Sequence, residues 1–343
     1  MRKPRLAATC RPGLITGLIA GLIIFIIQCL IPSALARTWL VGPEFYLKTP
    51  SEAIRQARNG DTIKIIAGTY ENDTATIDQN DLTIIGVNGF AHLKSSAPIA
   101  NGKAIWVTRG RNITLRNIEF SGAHVRDRNG AGIRLEHGSL TLDNCYFHHN
   151  EMGLLSSDDP NIRAVIKNSE FSSNQQDYPA TGKLSHNIYL GTIAEFQMEN
   201  SISRAAHYGH TVKSRARKTT LINNRIFDEG DISASYLVDL PNGGLVLIEN
   251  NYFYRNGGAQ NNAVISYGAE GMQYAENALT VKFNNAINDG GVMFLLKNHS
   301  DITAVLTHNR MTGLTAEEIP GIEKDGFWDR MKRKIRDNLG QAQ

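Results

Sequence analysis

Between Leu184 and Gly271 the chain carries three short runs dense in groups that hold charge or move protons. They are Ser185-His186-Asn187-Ile188-Tyr189-Leu190-Gly191, Gly209-His210-Thr211-Val212-Lys213-Ser214-Arg215 and Ser235-Tyr236-Leu237-Val238-Asp239-Leu240-Pro241. Each alternates with the period of a strand, so every second side chain shares a face. Tyr189, Lys213, Arg215 and Asp239 fall on one face, with His186, His207 and His210 in the turns leading in. Two cations, a carboxylate and several proton-transfer groups on one surface suit abstraction of a proton next to a carboxylate. That chemistry needs a cation to take up the charge that moves onto the carboxylate. It needs a base within about 3 Å of the proton, and an acid for the leaving oxygen or the opposite face. Arg215 and Lys213 suit neutralisation; Tyr189, His186 or His210 suit base and acid; Asp239 orients a cation or an imidazole. A single exposed pair such as Lys213 with Asp239 is ordinary on a solvated strand, so the expectation rests on the cluster.

These runs belong to a series that aligns as one strand per coil: 132–136, 153–157, 187–191, 211–215, 235–239 and 263–267. The alignment points Ile133, Leu154, Ile188, Val212, Tyr236 and Val264 inward. Arg134, Glu136, Tyr189, Gly191, Lys213, Arg215 and Asp239 point outward, Gly191 leaving space beside Tyr189. Asn187, His207, Arg134, Glu136, Tyr267 and Glu270 are then candidate substrate contacts. About ten residues after each run comes an apolar residue, any residue, then Asn: Asn117, Asn144, Asn168, Asn200, Asn224, Asn250 and Asn285. A phenylalanine follows three residues later at Phe120, Phe147, Phe171, Phe227 and Phe253. A repeat of roughly 25 residues built from short alternating runs and Asn/Gly turns predicts a solenoid whose coils pair in parallel. The repeated Asn residues are structural in this reading, since Asn tolerates turn geometry and its amide bonds the next coil. Longer spacings place insertions at 175–183 and 259–277.

Ahead of the repeats, Pro50 to Arg58 reads as a short helix capped by Thr49 or Ser51 and stopped by Asn59-Gly60. Asp61-Thr62-Ile63-Lys64-Ile65-Ile66-Ala67-Gly68-Thr69-Tyr70 and Leu82-Thr83-Ile84-Ile85-Gly86 follow as strands. This order resembles the N-terminal cap and first coils of the pectate-lyase-like right-handed parallel β-helix superfamily. The resemblance implies an all-β, single-domain right-handed parallel β-helix over 37–314. A loop and an amphipathic helix, Phe327 to Leu339, would then cap the open end, with Phe327, Trp328, Met331, Ile335 and Leu339 on one side.

The first 36 residues stand apart. Arg2, Lys3, Arg5 and Arg11 precede an uncharged apolar run, Leu14 to Leu30, and Ala34-Leu35-Ala36 offers a small-x-small cleavage site. This predicts a signal peptide and an exported, periplasmic or secreted protein; an uncleaved inner-membrane anchor facing the periplasm is the alternative. The formal charge of +3 loses four cations with this segment and becomes −1. Bulk charge therefore gives no case for a nucleic-acid partner. Cys145 alone remains after residue 36, so no intrachain disulfide forms there.

Further resemblances refine the chemistry. The coils of His186 and Lys213/Arg215 are similar to those of periplasmic alginate C5-epimerases, calcium-independent β-helices that use a His and an Arg on this face. Their Asp-Pro-His-Asp motif is replaced here by Leu184-Ser185-His186-Asn187. Residues 185–191 have a fainter likeness to the Gly-His-Gly coil of polygalacturonase-type hydrolases. The carboxylate pair of those enzymes has no counterpart in register, because Asp158-Asp159 follows its strand. The order of residues 186–191, 209–216, 235–244 and 267–271 is most similar to exported bacterial β-helix repeat proteins of unassigned activity. Together these imply an acidic-polysaccharide partner and action as lyase or C5-epimerase. A glycoside hydrolase using Asp239 with Glu270 and a non-catalytic polysaccharide-binding scaffold are the alternatives. No metal-ligand set is read and no cofactor is expected; calcium at Asp158, Asp159 or Glu270 is the exception, without a calcium-loop spacing.

Overall fold

The computed structural model of the chain describes residues 35–175 and 182–317. The signal-peptide expectation and the helix expected at Phe327 to Leu339 lie outside the described residues. Coils begin at the strand Thr38–Val41, which pairs in parallel with Thr62–Glu71. Between them the helix Pro50–Gln56 closes the first coil, with Ala53 and Ile54 buried against it. Its start is fixed by Glu52, whose carboxylate accepts the N–H groups of Thr49 (3.1 Å) and Lys48 (2.7 Å).

Beyond the helix, parallel strands stack coil upon coil into two sheets, of ten and nineteen strands among the described residues. The ten-stranded sheet takes one strand per coil from Ala75–Ile77 to Thr315–Glu317. Pairing of Thr315–Glu317 with Phe294–Asn298 carries the stack past the boundary read at 314.

The core is a set of rows running along the stack. One row in the ten-stranded sheet is Trp106, Ile133, Leu154, Ile188, Val212, Val238, Ile265 and Leu296, all without solvent contact. Two members differ from the alignment made on sequence. Val238 takes the place expected of Tyr236, and Ile265 that of Val264. The first slip is two residues and keeps the facing; the second is one residue and reverses it.

The corner rows show a similar slip. Left-handed backbone falls at Asn117, Asn144, Asn168 and Asn200 as expected, then at Asn223, Asn250 and Phe283. Asn224 and Asn285 are therefore not corner residues. Asn224 lies one place inward, where its side-chain amide donates to Asn251 Oδ1 (3.0 Å). Asn251 repeats this to Asn284 (3.0 Å), and Asn284 to Asn309 (2.9 Å). Each amide satisfies its neighbour and a backbone carbonyl, so a row of buried polar groups costs nothing in unmade bonds. The same one-residue shift puts Ile226, not Phe227, in the row of Phe120, Phe147, Phe171 and Phe253. Phe120, Phe147 and Phe171 stack face to face at 4.9 and 4.6 Å.

Candidate active site

The outward face of the ten-stranded sheet carries its own ladder. Strand register puts Arg134, Leu155, Tyr189, Lys213, Asp239 and Ser266 side by side, one per coil. Adjacent members are about 4.8 Å apart, so Tyr189, Lys213 and Asp239 reach one ligand. Arg215, two residues along its strand from Lys213, joins them from the same face.

The side chains form one network. Lys213 Nζ lies 3.0 Å from Asp239 Oδ2 and 3.5 Å from Glu270 Oε1. Arg215 grips Glu270 with two nitrogens, at 2.6 and 2.8 Å. Its Nε donates to the Tyr189 hydroxyl at 3.2 Å, and it donates to Asn242 Oδ1 at 2.7 Å. Both cations also approach the Tyr189 ring, at 5.6 and 5.8 Å from its centre. Lys213 and Asp239 are enclosed, at 6% and 4% exposure, whereas the Glu270 side chain is 41% exposed. Burial opposes the charge of Arg215, but its bonds to Glu270 and Tyr189 outweigh this and raise its pKa above the ordinary arginine value. Burial likewise pushes the Glu270 carboxyl up, yet Arg215 and Lys213 hold it below the usual range.

Glu270 arrives from the connection after the strand Ala263–Tyr267, where Gly268 and Gly271 both adopt left-handed backbone. Glu270 N–H donates to the Pro241 carbonyl (2.9 Å), and the Tyr274 hydroxyl donates to the Arg215 carbonyl. The insertion read at 259–277 thus folds back over the cationic pair and places a carboxylate on it.

His186 and His210 stack at the head of the site with ring centres 5.0 Å apart, and Tyr236 continues the stack at 5.6 Å. Each imidazole accepts a backbone N–H at Nδ1: His186 from His210 (2.9 Å) and His210 from Tyr236 (3.1 Å). A neutral ring so held carries its proton on Nε2 and is a donor. His210 Nε2 lies 3.4 Å from Asp239 Oδ2. Neither ring has the open lone pair that a general base needs, so the base role considered for them does not fit; they order Asp239 and the strand heads. Gly209 makes this stacking possible, because a Cβ there would lie 1.4 Å from the Ser185 carbonyl oxygen.

Burial, reinforced for His186 by His210 and Lys213 and for His210 by Lys213 and Arg255, holds both rings well below the ordinary 6.5. The folded protein therefore excludes two protons that the unfolded chain takes up as pH falls through about 6.5. Stability falls on acidification from that point, by about 1.4 kcal/mol per pH unit for each ring. Urea midpoints measured between about pH 7.5 and 5.5 show this slope, and His210→Gln flattens it. Equal slopes in the two proteins would refute the assignment.

The remaining candidates separate from the cluster. Asn187 is fully buried and belongs to an amide row, its Oδ1 accepting from Asn174 (3.0 Å) and its Nδ2 donating to the Arg204 carbonyl (2.8 Å). Tyr267 is also in the core, donating to the Gly244 carbonyl at 2.9 Å, and burial pushes its phenol up to about 12. The one-residue slip at Ile265 accounts for that reversal. Glu136 is tied to Lys103 and, at 2.8 Å, to Arg109. Arg134 stands on the outward ladder two coils from Tyr189, with Leu155 between. His207 stacks on Tyr208 in the preceding turn, at 3.9 Å. The space beside Gly191 is taken by Asp158, whose Oδ1 would meet a Cβ there at 2.5 Å and accepts Thr192 N–H at 2.6 Å. Asp159 bonds Asn161 N–H (2.9 Å) and His137 (3.0 Å). The three carboxylates considered for calcium thus each have other partners. Asn242 and Tyr274 were not foreseen; both sit in the irregular return of the chain, where coil periodicity carries no information.

Comparison with known proteins bears on the fold. The family described as the right-handed β-helix region matches residues 103–317. No curated protein matches the sequence significantly. Among solved structures, an alginate lyase from Paenibacillus sp. str. FPU-7 superposes with a TM-score of 0.59 at 17% identity, covering 82% of this chain and 97% of its own. Pectate lyase Pel9A superposes with a TM-score of 0.50 at 13% identity, covering 82% of this chain and 78% of its own. At such identities the likeness concerns the coil stack.

Proposed function

The chain belongs to the right-handed β-helix family, and from that premise we propose that it acts on an acidic polysaccharide by abstracting the proton at C5 of a uronate, as a lyase or C5-epimerase. One observation carries the proposal: Arg215 and Lys213 already hold a carboxylate, that of Glu270, beside the Tyr189 hydroxyl. A site that binds one carboxylate through a guanidinium fork binds another of the same geometry. A uronate carboxylate exchanging with Glu270 would meet both cations, which stabilise the charge that develops as C5 loses its proton. Tyr189 is the proton-transfer group on that spot. Asp239, paired with Lys213 and facing His210, keeps the ammonium in place. The names of the two structural neighbours, an alginate lyase and a pectate lyase, fit a polyuronate substrate. Action outside the cytoplasm follows from the apolar N-terminal segment as part of the same proposal.

The hydrolase reading has one point in favour. Asp239 and Glu270 touch the same ammonium, at 3.0 and 3.5 Å, so they are no further apart than the carboxyl pairs of about 5–9 Å that hydrolases use. A hydrolase needs one of the pair kept protonated. Glu270 is held below the usual range by Arg215 and Lys213, which is the opposite condition. A polysaccharide-binding scaffold needs no proton-transfer group beside its cations, which Tyr189 supplies.

The test is turnover on a panel of polyuronates, followed by ultraviolet absorbance of unsaturated uronate and by proton NMR. Arg215→Ala lowers turnover by about 10²–10³-fold. Wild-type rates in that variant would remove Arg215 from the reaction.

A further inference from the structure

The nineteen-stranded sheet carries a second cluster of chemically capable groups, on three successive coils. His92 lies on the strand Thr83–Lys94, Glu119 on Ile118–Ser121 and His148 on Tyr146–His148. These strands are parallel neighbours, with His92 opposite Glu119 and Ser121 opposite His148. Both imidazoles aim Nε2 at the same carboxylate oxygen: Glu119 Oε1 is 3.6 Å from His92 and 2.9 Å from His148. One ligand atom from each of the three residues lies within 4.8 Å of the others.

We propose that His92, Glu119 and His148 form a binding site for a borderline divalent cation of the zinc type. Four considerations carry it. The donors are two imidazole nitrogens and one carboxylate oxygen, a set that suits zinc and its neighbours and not calcium or magnesium. Tetrahedral coordination at 2.0–2.1 Å requires donor separations of about 3.3 Å, and the observed 2.9 and 3.6 Å bracket that value. His148 Nδ1 lies 2.7 Å from His149 Nδ1, a bond that leaves the Nε2 lone pair facing the site when His148 donates. Metal-bound imidazoles are commonly oriented in this way by a partner at the far nitrogen. Finally, the three side chains are 17–21% exposed, open enough for an ion and its remaining water ligands to enter.

Ser121 Oγ, 2.7 Å from His92 Nε2, is the group that must turn aside for His92 to bind. An ion held here would tie three coils together near the N-terminal end of the stack. It would act on stability and is independent of the polysaccharide reading, since it lies on the other sheet from Tyr189.

The experiment is a calorimetric titration of the purified full chain, folded and stripped with chelator, with zinc chloride alone. One equivalent binds, the melting temperature rises with it, and excess calcium does not displace it. His92→Ala and His148→Ala each abolish saturable binding, Glu119→Gln weakens it, and His149→Ala lowers affinity by about 10–100-fold. If His92→Ala and His148→Ala fail to fold by circular dichroism, the near-isosteric Glu119→Gln and the substitution His149→Ala, one residue outside the donor set, decide. Zinc uptake by the wild type no greater than by the His92→Ala/His148→Ala double variant, or binding unchanged in Glu119→Gln and His149→Ala, overturns the proposal and leaves a hydrogen-bonded His–Glu–His cluster.

Discussion

Tyr189→Phe lowers turnover of a polyuronate by about 10²–10⁴-fold, the range for loss of a positioned proton-transfer group. The substitution removes one oxygen and little else. The ring stays against His186, edge to face at 5.2 Å, and beneath both cations. Arg215 loses its Nε bond to the hydroxyl but keeps Glu270 and Asn242. Stability therefore changes by no more than the ~0.5–1.5 kcal/mol of one hydrogen bond. KM changes little, because the carboxylate-binding cations remain, and the loss appears in kcat. Steady-state kinetics on the best substrate of the panel, with denaturation curves of both proteins, makes the check. Full kcat in the variant would transfer the proton to another group.

Arg255→Ala destabilises the fold by about 3–5 kcal/mol, the cost of breaking a fully buried ion pair from one side. Arg255 and Asp228 have no solvent contact, and Nε stands 3.4 Å from Oδ2. One arm of the guanidinium donates to the carbonyls of Ala234 (3.0 Å) and Ser235 (3.2 Å). Asp228 in turn accepts the N–H of Ala234 (2.8 Å) and of Asn256 (3.3 Å). Burial raises the Asp228 carboxyl and lowers the Arg255 guanidinium, in each case against the pull of the other. Desolvation thus exceeds attraction for the pair, so its presence is no large source of stability. Its half-removal is costly because the carboxylate and three carbonyls, those of Ala234, Ser235 and Asn261, lose their partner together. The damage reaches the site, since Ser235 adjoins Tyr236, whose N–H holds His210. Urea denaturation with an unchanged slope and a lowered midpoint is the expected result. A loss below about 1 kcal/mol would mean that the cavity refills with water at little cost.

The fold was legible because the sequence repeats it. Each coil restates the same alternation, and the errors of one coil are outvoted by the others. Facing on the ten-stranded sheet was legible for Tyr189, Lys213, Arg215 and Asp239 because the alternation is clean through all three runs. It failed at Tyr267, where the chain from Pro241 to Asn262 is long enough to hide a one-residue slip, and one residue reverses a strand's facing. Asn187 looked like a polar residue at the edge of the site; only the coil-to-coil amide row reveals that its polarity is spent inside. The histidines were visible as residue types, whereas their tautomers depend on which backbone N–H each ring meets. Glu270 could be named but not placed against Arg215, because an irregular connection obeys no period. His92, Glu119 and His148 escaped for a related reason: their spacings of 27 and 29 residues match the coil repeat, but the second is offset two residues along the strand.

The proposed reaction requires that C5 of a uronate lose its proton at Tyr189 and Arg215. Incubating the protein with polyuronates in deuterated water and following the H5 resonance by proton NMR tests this directly. The expected result is either deuterium at C5 in an intact polymer, for an epimerase, or an unsaturated end with its vinylic proton signal, for a lyase, and neither with Tyr189→Phe. New reducing ends with H5 untouched, or a bound polymer with no chemical change, would contradict it.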